Sequence, residues 1–161
     1  MFEATEDLTE DIIAELNFDP EQVEDMPSLN HSYVCIEILR QLLQNERIQP
    51  LPELTLDIEN GLTPDISIFP KEEIQTNFFE DILKVKQLPI LAIEVISSSQ
   101  PVLTLLEKAR KLRNAGIKVV WTVEPYGRSV FVSDGEGERL FHEEIVQSEG
   151  ITVDFARVFN N

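Results

Sequence analysis

Cysteine is nearly absent. Cys35 is the only one in 161 residues, so no disulfide forms within the chain and the fold has to rest on its core. No N-terminal run carries the charged-then-apolar pattern of a secretion signal, which makes a reducing cytoplasm the expected compartment. No apolar run is long enough to span a bilayer as a helix. Histidine is scarce as well: His31 and His142 lie too far apart in sequence to suggest a metal pair, and each reads as a surface or satisfied core residue. The most uneven shortage is of positive charge. Thirteen Lys and Arg face thirty Asp and Glu, a formal net charge of −17, which at first speaks against nucleic acid, because phosphate binding draws on Lys and Arg.

The distribution of that charge changes its meaning. Residues 1–26 hold ten acids and not one Lys or Arg; without them, 20 acids stand against 13 bases, a net of −7 over residues 27–161. The chain reads as an acidic N-terminal arm, residues 1–26, with one short helix around Leu8 to Leu16, followed by one domain over residues 27–161. The arm fits a solvated tail, or a mimic of nucleic acid lying over a basic groove. With 42% hydrophobic residues, the domain has enough apolar material for a proper core.

The domain alternates helix and strand patterns. After Pro27 and Ser28, the residues Tyr33, Ile36, Leu39, Leu42 and Leu43 recur at helical steps, predicting an amphipathic helix that ends near Asn45. Leu54, Leu56 and Ile58 alternate with polar residues and predict a half-buried strand; "ENGLTPD" turns the chain, and "DISIF" alternates again, so a hairpin is expected. The helical spacing of Ile74, Phe78 and Ile82 predicts a helix within 71–88. Pro89 to Ile96 is a continuous apolar run, Leu105, Ala109, Leu112 and Gly116 stripe a helix from Leu103 to Ala115, and "IKVVWTV" is a second apolar run. That unit is a β-α-β crossover, whose strands lie parallel. "RSVFVS" between turn residues adds antiparallel strands, and a last strand lies around Ile151 to Val153. The fold class expected is a mixed α/β sheet with flanking helices.

One residue sits oddly in this scheme. Glu94 is a carboxylate among Leu91, Ala92, Ile93, Val95 and Ile96, and an unpaired charge in such a run costs several kcal/mol. Asp65 opens the neighbouring strand directly after Pro64, so the two strand ends can bring the carboxylates together. Like charges that close repel unless a cation sits between them. Mg²⁺ or Mn²⁺ suits oxygen ligands and leaves coordination positions for water and phosphate. Lys108 falls beside the buried stripe of its helix, and its stem can reach back to Glu94; Lys111 falls farther away and reads as a surface charge.

"PDISIF", "LAIEVISSS" and "EKARKLRNAGIKVVWTVEP", in that order, resemble a family of small restriction-endonuclease-like proteins in the PD-(D/E)XK nuclease superfamily. The resemblance runs from about Asn30 to Pro125, more loosely beyond. It implies a restriction-endonuclease-like fold in which Asp65 and Glu94 hold Mg²⁺ or Mn²⁺, with the backbone carbonyl of Val95 as a further ligand. It also implies catalysis by Asp65, Glu94 and Lys108, and a nucleic-acid substrate, DNA above all. The superfamily's lysine usually lies two residues after the second acid; that position is Ile96 here, so Lys108 would be its migrated form. Leu112 stands where an aromatic is usual, Glu124 where Asp precedes Pro125, and "SSSQ" where Ser-Pro-Ser-Thr is frequent. By analogy, a homodimer would set two sites against the strands of a duplex.

Plainer readings stay open beside this one. Asp65 also fits a turn cap, Glu94 a partner for Arg110 or Arg113, Ser97 to Ser99 a helix cap before Pro101, and Trp121 a core residue. Glu53 or Glu37 is a candidate further carboxylate. A rival function is a non-catalytic interaction module that keeps the nuclease fold and binds a protein through its acidic arm. The two diverge on whether Lys71, Lys84, Lys86, Arg110, Lys111 and Arg113 gather around Asp65 and Glu94 or scatter.

Overall fold

The computed structural model describes residues 27–98 and 100–160; the acidic arm with its expected helix, and Ser99, lie outside them. Helix α1, Leu29–Leu42, starts at Ser28, whose hydroxyl accepts from the His31 backbone N–H at 3.1 Å and so satisfies one of the orphan donors of the first turn. The face it buries is Val34, Ile38 and Leu42, while Tyr33, Ile36 and Leu43 are exposed. The expected stripe was rotated because apolar residues occur on both sides of this helix. The helix also stops at Leu42, short of Asn45.

Strands β1 (Ile48–Pro52), β2 (Ile66–Pro70), β3 (Leu91–Val95), β4 (Val119–Glu124), β5 (Ser129–Asp134) and β6 (Gly137–His142) form one sheet in sequence order, in which β3 and β4 are parallel and the other pairs antiparallel. Helix α2, Val102–Asn114, makes the crossover from β3 to β4 and buries Leu105, Ala109 and Leu112, the stripe expected from sequence. Strands β7 (Ile145–Ser148) and β8 (Ile151–Asp154) form a separate antiparallel pair, and a short helix α3, Phe155–Phe159, follows.

Alternation along β3 divides the core. Leu91, Ile93 and Val95 face the side of α1, β7, β8 and α3, where Trp121 and Phe155 pack edge to face at 5.9 Å. Ala92 faces the side of α2, with Phe69, Ala109, Leu112 and Val120. Trp121 is a core residue, fully buried, its indole N–H donating to Ser148 Oγ at 3.0 Å. Gln41 of α1 clamps Asp154, donating to its carbonyl at 3.0 Å and accepting from its N–H at 2.8 Å.

Two expected elements are absent. Residues 54–58 are not a strand: Leu56 and Ile58 are buried as the alternation predicted, but Leu56 bonds within the loop to Leu62, and it bridges only Leu62 and Val85. The strand paired with β2 is β1, which Pro50 and Pro52 disguise; proline is tolerated there because β1 is an edge. Residues 71–88 hold one 3₁₀ turn, Lys71–Glu73, and no α-helix. Asn77 and Asp81 accept from the backbone N–H of Phe79 and Ile82, and Val85 is drawn onto Thr55 and Asp57 by two backbone bonds. Side chains that bond nearby backbone compete with helix formation, and Phe78, Phe79, Ile82 and Leu83 end up exposed. No helix among the described residues is long and apolar enough to cross a membrane.

Candidate active site

The β2–β3 register pairs Ile66 with Ile93; carried one residue further, it sets Asp65 opposite Glu94. Residues directly opposite in antiparallel strands project to the same face, here the face of α2. The two strand ends and α2 enclose a cleft of about 320 Å³ bordered by Asp65, Glu94 and Lys108 together with His31, Glu53 and Thr63. Lys108 lies on the flank that the helical spacing indicated: its Nζ is 2.6 Å from Glu94 Oε1 and donates to the Thr63 carbonyl at 3.0 Å. Asp65 Oδ2 accepts from the Val95 N–H at 2.7 Å, and its Oδ1 lies 3.0 Å from His31 Nε2. In extended backbone one residue's N–H and C=O point to the same side, so the Val95 carbonyl also faces the β2 side of the strand.

The two acids are held in opposite electrostatic states. Burial pushes Glu94 up from 4.5 to about 8; Lys108 pulls it back in part, while Asp65 adds to the rise. Burial also opposes ionisation of Asp65, but the bonds from His31 and Val95 outweigh it and hold that carboxyl below its ordinary value. The His31 bond to Asp65 raises the imidazole above its ordinary value against the effect of burial. Burial, with Asp65, Glu94 and Glu53 nearby, pushes the Cys35 thiol up to about 12. Glu94 is buried, and the Lys108 ammonium at 2.6 Å is the cation beside it among the described residues.

A dependence on pH follows. The folded chain retains a proton on Glu94 between about pH 4.5 and 8 that the unfolded chain has already lost, so stability falls as pH rises through that window. His31, raised above 6.5, adds to the fall at its upper end, whereas Asp65, lowered below 3.8, contributes stability that is lost only in acid. In a chelating buffer, melts should give a lower Tm at about pH 8 than at about pH 5, with a shallower decline in Glu94→Gln; a Tm that climbs over this range contradicts the assignment.

Other expected residues sort as follows. Glu53 borders the cleft, held at φ 50 with its N–H on the Asp65 carbonyl at 3.0 Å, while Glu37 pairs with Arg40 along α1. Ser97 does not cap α2: the residue at its N-cap is Pro101, with no side-chain bond, and the Ser97 N–H is taken by Gln100 at 3.0 Å. Arg113 donates to the carbonyls of Ile117 and Lys118 and does not pair with Glu94. Lys111 pairs with Glu59 on the surface, as its helical position suggested, and Lys84 bonds the Asn60 carbonyl. None of the six basic residues whose grouping was in question borders the cleft. His142 bonds Ser129 at 3.2 Å, away from the site. His31 is the residue that sequence reasoning missed. Its one local signal is a four-residue spacing to Cys35; the contact that matters joins it to Asp65 in a distant segment.

The comparisons with known proteins agree on what this scaffold is. Among curated proteins none matches. A solved structure, that of a "putative nuclease belonging to DUF820" from Anabaena variabilis ATCC 29413, superposes with a TM-score of 0.69 at 20% identity, over 83% of this chain and 82% of that one. At that identity the match establishes the shared fold, a mixed sheet with flanking helices. The model of the Uma2 family, described as "Putative restriction endonuclease", matches residues 2–158. Spanning nearly its whole length, that match settles the matter: the chain belongs to the Uma2 restriction-endonuclease-like family.

Proposed function

We propose that this chain hydrolyses phosphodiester bonds in nucleic acid, DNA foremost, with a hard divalent cation, Mg²⁺ or Mn²⁺, held by the carboxylates of Asp65 and Glu94 and the carbonyl of Val95. The observation that carries this reading is the convergence of two carboxyl groups and one lysine at adjacent strand ends, with the buried Glu94 carboxyl 2.6 Å from the Lys108 ammonium. An all-oxygen donor set suits a hard ion. Such a cation supplies Lewis-acid polarisation of the scissile phosphate and acidifies water.

The chain's own groups do the rest. Asp65, fixed by the Val95 N–H, presents a preset oxygen. Glu94 gives up its proton when a cation enters. Lys108, tethered to the Thr63 carbonyl, orients the attacking water or steadies the charge developing on phosphate. Purified full-length chain should cleave plasmid, single-stranded or branched DNA in Mg²⁺ or Mn²⁺ and stop on chelation. Absence of cleavage on every one of these substrates with both ions overturns the proposal.

The absence of those six basic side chains from the rim of the cleft favours a second reading, a non-catalytic interaction module on the nuclease fold that binds a partner through the acidic arm. It predicts a protein ligand and no metal-dependent cleavage. A homodimer, two clefts facing one duplex, belongs to the nuclease reading.

A further inference from the structure

The proposed metal cleft has a second side. His31 and Cys35 stand one helical turn apart on α1 and therefore share a face, which meets the start of β2. His31 Nε2 lies 3.0 Å from Asp65 Oδ1 and 4.0 Å from Cys35 Sγ, and ligand atoms of the three residues all fall within 4.8 Å of one another. A pocket of about 240 Å³ opens there, bordered by Cys35 but not by Glu94 or Lys108, whereas His31, Glu53 and Asp65 border both it and the larger cleft. His31 Nδ1 is buried with no hydrogen-bond partner among the described residues.

Imidazole nitrogen, thiolate sulfur and carboxylate oxygen together form a donor set unlike the all-oxygen set around Glu94; they match a borderline-soft ion, with three protein ligands and a position left for water. Metal–ligand lengths of about 2.0–2.3 Å put tetrahedral ligand atoms roughly 3.3–3.8 Å apart, so the widest pair here has to close by roughly 1 Å. We propose that His31, Cys35 and Asp65 form a second cation site, suited to Zn²⁺, that shares Asp65 with the nuclease site. The ion takes the place of the Nε2 proton between His31 and Asp65; that proton and the thiol proton pass to solvent, and no electron moves. Because Asp65 is shared, zinc displaces Mg²⁺ and switches cleavage off, a consequence that rests on the nuclease reading, whereas zinc binding itself does not.

Co²⁺ added to the full chain tests the site independently of cleavage. The expected result is a thiolate-to-cobalt charge-transfer band in the near ultraviolet that Zn²⁺ abolishes. Cys35→Ser should lack it, His31→Gln should weaken cobalt affinity at least about tenfold, and Glu94→Gln should keep it. A parent without the band, or unchanged affinity in His31→Gln, overturns the site. In cleavage assays zinc should suppress the Mg²⁺ rate at least about tenfold in the parent and less in Cys35→Ser, each protein compared with itself. A cobalt band with no cleavage anywhere sinks the nuclease reading and upholds the site; a band with zinc-insensitive cleavage overturns the sharing of Asp65.

Discussion

Glu94→Gln is expected to remove two properties at once: divalent-ion-dependent cleavage, by a factor on the order of 10² or more, and the rise in Tm that Mg²⁺ or Mn²⁺ gives the parent. The amide keeps the shape of the side chain but carries no charge for a hard cation. A ligand that binds only the folded state at a hundred times its Kd adds about 2.7 kcal/mol of stability, and that increment should vanish with the carboxylate. Without metal the substitution should cost little, because burial and Asp65 both oppose ionisation of Glu94, and an amide has no ionisation to suppress. A structural Glu94 serving only to neutralise Lys108 gives the reverse pattern: a metal-insensitive parent and a variant destabilised through its stranded ammonium. Melts of both proteins with and without metal, beside cleavage rates, separate these outcomes, and the reverse pattern ends the nuclease reading.

Lys108→Met should split the same two properties. Cleavage falls by about 10²–10³ if the ammonium acts on developing charge, yet the metal-dependent rise in Tm persists or grows, because Glu94 then lacks its cationic neighbour. Without metal the variant leaves Glu94, whose side chain is 4% exposed, with no cation beside it. Its proton is then held to still higher pH, so the loss of stability shows above about pH 8, where the parent's Glu94 ionises. Methionine keeps an unbranched apolar stem at this helix position, which flanks the buried stripe of Leu105, Ala109 and Leu112. Full cleavage in this variant would remove Lys108 from the chemistry; loss of the metal response would show that it organises the site as well.

The legible parts of this chain were those written in short periods. The β3–α2–β4 crossover could be read because an unbroken apolar run means a strand buried on both faces, and because Leu105, Ala109 and Leu112 repeat at helical spacing on the face that α2 buries. Edge strand β1 was hidden by its two prolines, and residues 71–88 misled because Phe78 and Ile82 carry helical spacing while Asn77 and Asp81 bond the backbone locally. Residues 54–58 carried the right burial and the wrong hydrogen bonds: periodicity reports which side chains go inside, not where backbone donors find acceptors.

The candidate site divides along the same line. An acid inside an apolar run, an acid after Pro64 at a neighbouring strand end, and a lysine flanking a buried stripe were all visible in one dimension, and they are the groups the fold gathers. Tertiary structure alone decided that His31 meets Asp65, that Glu53 borders the cleft where Glu37 does not, and that Lys71, Lys84, Lys86, Arg110, Lys111 and Arg113 stay off its rim. Local sequence sets the direction of a side chain relative to its own helix or strand; the distance between side chains on different elements depends on register and packing, which only the assembled sheet fixes.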